Sequence, residues 1–133
     1  MNKDNVLKIL YALLGSFRVF ESLIEEFTQC IAAGGAEKSV IKKLTLRLKQ
    51  LSLLGKSAIT LEEFERINET IYSMHVQGKG FNIRILYSFL PNGEPVLLLA
   101  FHERAGHRST DYTPYLKPAA ERFRVMKEEY ENE

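Results

Sequence analysis

The chain has a single cysteine, Cys30, so it forms no internal disulfide, a usage that suits a reducing compartment. No spacing of Cys and His resembles a zinc site, and the sequence calls for neither a metal nor a cofactor. Long apolar runs are missing too: nothing approaches the roughly 20 residues of a membrane span, and no membrane partner is expected. Charge of one sign is scarce. A formal net charge of +1 does not announce a nucleic-acid binder, which needs a basic patch or a strongly basic total. The N-terminus, MNKDNVLKILYALLGSF, sets two lysines among its first apolar residues. Lys8 interrupts the segment and no small-x-small cleavage pattern follows, so a cytoplasmic location is expected. Repeats, linkers and low-complexity tracts are absent. What remains is 133 residues, 45% of them hydrophobic, read as one domain over residues 1–133 that buries a core without staples.

Val6 to Leu13 fits a buried strand and a helix equally, and periodicity does not settle it. From Phe20 the pattern is helical. Phe20, Leu23, Ile24, Phe27 and Ile31 form a stripe, acidic residues fill the first turns, and Gly34-Gly35 ends it. Cys30 reads as a core residue of this helix. A second amphipathic helix starts near Glu37, with Val40, Ile41, Leu44, Leu48 and Leu51 inward and Gly55 just past its end. Its basic outer face, Lys38, Lys42, Arg47 and Lys49, reads as a solvated stripe. Thr60-Leu-Glu-Glu63 matches a capping box and predicts a short helix from Leu61. The period then drops to two over Tyr72–Gln77 and Phe81–Phe89, with Gly78-Lys79 as the hairpin turn. Val96–His102 makes a third strand after Pro91-Asn-Gly-Glu-Pro95. Pro114–Tyr130 reads as a closing helix, with Pro118 in its first turn or delaying its start. The expected fold is α+β: an N-terminal strand and helical hairpin packed on a small antiparallel sheet of about three strands plus the first, then a C-terminal helix.

Alternation puts Tyr72, Met74, Val76, Phe81, Ile83 and Ile85 on one face. Ser73, His75, Gln77, Asn82 and Arg84 take the other, with His75 and Arg84 as diagonal neighbours. The third strand is apolar throughout and leaves two registers. A three-residue Asn92–Glu94 loop pairs Arg84 with His102 and keeps Phe101 in the core. A two-residue Asn-Gly turn pairs Arg84 with Phe101 and turns His102 inward. The first is favoured, because a buried His102 beside Ile83 finds no polar partner in the sequence. A strand arginine is ordinarily a surface charge, and a lone histidine is ordinarily structural. Here all three histidines and three arginines converge on two strands and the loop FHERAGHRSTDYT. Such a face is suited to bind phosphate and move protons near neutral pH.

The strings ETIYSMHVQGKGFNIRILYSF and VLLLAFHERAGH, followed by Thr113-Pro114 and a helix start with Ala119 to Arg122, resemble the RelE/HigB superfamily of bacterial toxins, in particular its phage Gp49-like branch. The resemblance covers most of residues 65–125, and the N-terminal half by architecture. It implies a RelE/ParE-like fold and a toxin of a type II toxin-antitoxin system, a metal-independent endoribonuclease (mRNA interferase) that cuts mRNA on the ribosome and inhibits translation. The implied partners are mRNA, the ribosome and a cognate antitoxin, a small helix-turn-helix protein.

By the same resemblance Arg84 stabilises the scissile phosphate. His102, His107 and Tyr112 join it as catalytic groups, while His75, Lys79, Arg104 and Arg108 contact RNA. Histidines and Tyr112 stand where the family's loop usually carries lysines. Basicity is local, with seven Lys/Arg against four Asp/Glu over residues 72–124. The alternatives are a ParE-like toxin that inhibits gyrase without a nuclease centre, and a catalytically lapsed protein that keeps the RelE fold for interaction.

Overall fold

The structure, a computed structural model, describes residues 3–34, 36–103 and 110–133. In chain order it contains helix α1 (Lys3–Leu14), strand β1 (Arg18–Val19), helices α2 (Glu21–Gly34) and α3 (Glu37–Leu54), and a 3-10 turn over Gly55–Thr60. Strands β2 (Phe64–Arg66), β3 (Tyr72–Gly78), β4 (Phe81–Phe89) and β5 (Pro95–His102) follow, and helix α4 (Thr113–Glu131) closes the chain. The strands make one mixed sheet in the order β1-β5-β4-β3-β2, with β1 parallel to β5 and the other pairs antiparallel. The protein is therefore α+β, with a C-terminal helix as expected. Residues 6–13 are helical, and Val6, Leu10 and Leu14 anchor α1 in the core. The N-terminal strand is the short β1. Among the described residues no helix is long and apolar enough to cross a membrane.

Both sheet faces are covered. Phe64, Tyr72, Met74, Val76, Phe81, Ile83, Ile85 and Tyr87 pack beneath α1, α2 and α3, around Leu10, Leu23, Phe27, Leu44 and Leu51. Leu86, Val96, Leu98, Leu99 and Phe101 pack on the other side, against Tyr115, Leu116, Ala119, Phe123 and Met126 of α4. Removing apolar area from water on two faces is what makes β4 buried along nearly its whole length.

Four local expectations are corrected. The sequence match to a capping box at Thr60 does not start a helix. Thr60 instead ends the 3-10 turn, and its hydroxyl donates backward to Ser57 O at 2.8 Å. Leu61 is extended, and β2 follows. The β3–β4 turn is Lys79-Gly80 and not Gly78-Lys79: Gly78 pairs with Phe81 and His75 with Arg84. Gly80 has φ +85°, the conformation that needs glycine.

The favoured β4–β5 register is also overturned. Phe89 pairs with Pro95 and Tyr87 with Leu97, then a bulge shifts the ladder so that Arg84 faces Phe101 and Ile83 faces His102. The bulge puts Leu98 and Leu99 on the same side, both in the α4 core. His102 needs no buried partner because it is exposed at the sheet's end, where its Nε2 lies 3.4 Å from Asn82 N. Finally, α4 begins at Thr113 and carries Pro118 inside it, so the proline neither sits in the first turn nor delays the helix.

A polar cluster around Arg84 beneath the start of helix α4

Arg84 and His75 are directly opposed across β3 and β4, on the face that α4 covers. Arg84 is 7% exposed. Its Nη1 donates to Asn82 Oδ1 at 2.5 Å and its Nε to Thr110 Oγ1 at 3.2 Å. The guanidinium plane is thus fixed from its own strand and from the residues leading into α4. Asp111 Oδ1 accepts the Thr113 N–H at 3.0 Å, and Pro114 occupies the first turn, where its missing donor does no harm.

That helix start delivers Tyr112. Its ring meets Phe101 edge to face with centroids 6.1 Å apart, while Tyr115 stacks flat on Phe101 at 3.7 Å. Held so, the Tyr112 phenol donates to the Glu65 carboxylate. It also lies 2.9 Å from Ser73 Oγ and 3.4 Å from His75 Nε2. Glu65 Oε1 stands 3.2 Å from the same imidazole nitrogen. A carboxylate accepts only, so Nε2 carries the proton in the neutral ring and the lone pair rests on Nδ1.

Burial lowers the His75 pKa, the Arg84 guanidinium lowers it further, and Glu65 pulls the other way. The Tyr112 phenol is pushed up to about 12 by burial and by Glu65. A base that stays neutral, an acid that keeps its proton and a fixed guanidinium therefore share one cluster. Beside it, Arg47, Glu62, Glu63, His75 and Gln77 line an open groove of about 480 Å³. Arg47, expected on the solvated outer face of its helix, is instead buried and donates from Nε to His75 O at 2.9 Å, which ties α3 to the same strand position.

Of the residues singled out from the sequence, Arg84, His75 and Tyr112 are brought together. His102 is not: it is paired with Ile83 at the end of the sheet. Lys79 lies at the hairpin turn, and lines a different groove with α3. Arg104, His107 and Arg108 lie outside the described residues. Sequence reasoning missed Glu65 because it placed the segment after Leu61 in a helix. A usable signal was Asn68, whose side chain accepts the N–H groups of Thr70 and Ile71 at 2.8 and 2.7 Å. An Asx turn of this kind between short segments marks a strand connection. No protein-family model matches the chain, and no curated protein matches it either.

Proposed function

We propose that the chain is a toxin of the RelE/HigB kind that inhibits translation by cutting mRNA on the ribosome without a metal, and that its centre is the Arg84 cluster. The observation that carries this is the direct cross-strand pair of Arg84 and His75, completed by Tyr112 and Glu65. In this reading the Arg84 fork holds two oxygens of the scissile phosphate. His75 takes the proton of the attacking 2′-OH, and the 2′ oxygen forms its bond to phosphorus as the bond to the 5′ oxygen breaks. Tyr112 returns a proton to that leaving oxygen, and Glu65 orients both side chains. His102 gives up the proton-transfer role to His75, whereas His107, Arg104 and Arg108 supply RNA contacts from the segment between β5 and α4. The cognate antitoxin and a cytoplasmic setting belong to the same proposal.

A second reading, a protein that keeps the fold for interaction alone, is favoured by one observation. Arg84 is nearly buried and already bonded to Asn82 and Thr110.

Induction in a bacterial host separates the two. The nuclease reading expects growth and translation to stop, with new mRNA ends mapped by primer extension. Arg84→Ala and Arg84→Lys should each lose about 10²–10³ in cleavage rate, because lysine cannot form the fork. Undiminished protein synthesis at high soluble expression, or full cleavage by Arg84→Ala, would remove the proposed centre.

A further inference from the structure

Charge is segregated along this chain. Residues 38–61 hold six Lys/Arg and no Asp or Glu, in a protein whose formal net charge is +1. Arg47 is buried against His75 O and Gln50, but Lys38, Lys42, Lys49 and Lys56 are exposed. Among the described residues, none of Lys38, Lys42, Lys43 and Lys49 pairs with a carboxylate. The same helix face exposes aliphatic side chains: Leu46 is 45% and Leu53 75% exposed.

These two sets interleave in a defined order. Ser39, Lys42, Leu46, Lys49 and Leu53 are all exposed on α3. Their spacing alternates three and four, the repeat of a helix–helix seam, and runs about 21 Å along the helix axis. At its N-terminal end the stripe enters a groove of about 470 Å³. Ser39, Lys42, Lys43 and Leu46 form one wall, and Gly78, Lys79 and Phe81 of the β3–β4 hairpin form the other. The Phe81 ring lies so close over Gly78 that a Cβ there would come within 2.6 Å of it. The hairpin thus stands as a solid second wall beside Leu46.

We propose that this face docks an acidic amphipathic helix of a partner protein, with a large aliphatic side chain of that helix seated between Leu46 and the hairpin. Charge complementarity and the seam spacing choose this occupant. A second copy docked through the same face would set lysine against lysine. A nucleic-acid strand offers no aliphatic complement to Leu46 and Leu53, and the Phe81 ring in the groove wall is buried, so it gives bases no face to stack on. A bilayer surface does not fill a two-walled groove. The face lies on the α1–α3 side of the sheet, away from Arg84, and its role stands whether or not Arg84 cuts RNA.

The test is fluorescence anisotropy of the full chain with a labelled three-heptad helical peptide bearing leucine at its seam positions and glutamate beside them. Saturable binding is expected, weakening with added salt. Lys42→Glu with Lys49→Glu should lower affinity about tenfold or more, and a peptide with lysine for glutamate should recover binding to that double variant. Leu53→Asn should weaken both complexes. Both changes are at exposed positions, and unaltered melting checks that the variants fold. Absence of saturable binding overturns the proposal, as does affinity indifferent to the charge reversal. Preferential capture of phosphatidylserine vesicles or of poly(U) RNA by the wild type, abolished by the same variants, overturns it in favour of those partners.

Discussion

An imidazole that bears its proton badly is a weaker base than a free one but stands unprotonated and available at neutral pH, and burial together with Arg84 holds His75 in that condition. The sign of the consequence is fixed. Above the ordinary imidazole value of 6.5, folded and unfolded chains both carry neutral His75, and it adds no pH dependence. As pH falls through 6.5 the unfolded chain takes the proton first, so stability declines until the lower folded value is passed, then levels off. His75→Gln should flatten that decline when urea midpoints are followed from neutral to acid pH. If RNA cleavage uses this base, its acid limb should lie below pH 6.5, and a limb at or above that value would assign the base elsewhere. The pairing of His75 with Arg84 on one face was legible from alternation alone. Moving the two-residue turn from Gly78-Lys79 to Lys79-Gly80 changes which residues face each other but keeps the parity of every side chain. The Glu65–Tyr112 contact was not legible, because it joins residues far apart in the chain and depends on how α4 lies across the sheet.

Elements were readable where a side-chain period and a stop signal agreed. The α2–α3 hairpin ends at glycines, and Gly55 adopts φ +55° with its N–H returned to Leu51 O. Turn chemistry alone was ambiguous in the stretch Gly78-Lys79-Gly80, where either glycine suits a turn. Backbone sign decides between them, and substitution should report it. Gly80→Ala forces alanine to φ +85° in open space, with an expected loss of about 1–2 kcal/mol. Gly78→Ala instead must displace the Phe81 ring, so its penalty depends on repacking and should be relieved by Phe81→Leu, while that of Gly80→Ala should not. Urea midpoints of the two single and two double variants measure this. The β5 register was beyond the sequence for a different reason. An apolar run that is buried on both faces carries no alternation to fix which residue faces which, and the bulge at Leu98 shifts pairing midway along it.

For the molecule as a whole, the two covered faces meet at the β5 edge. β1 pairs with β5 only at Val96 and Leu97. Beyond it, Glu26 of α2 accepts the Ala100 N–H at 3.1 Å, and Arg122 of α4 donates to Leu98 O at 2.9 Å. The two side chains also bond each other at 2.6 and 2.9 Å, and Arg122 lies over the Phe20 ring at 4.8 Å. Helices on opposite faces are thereby tied around the sheet rim. Arg122→Met keeps the length of the side chain but removes the clasp, and should lower unfolding free energy by about 1–3 kcal/mol, read from urea midpoints at unchanged slope. The clasp has a consequence for chains that meet one another. A carboxylate and a guanidinium occupy hydrogen-bonding positions that the backbone of an added strand would take, so they act as a side-chain counterfeit of one more β-strand. Strip the counterfeit away and the rim becomes a template. Arg122→Met combined with Glu26→Met, held at high concentration, should then scatter light and bind amyloid dyes, growing sheet from molecule to molecule where the native chain stops at itself.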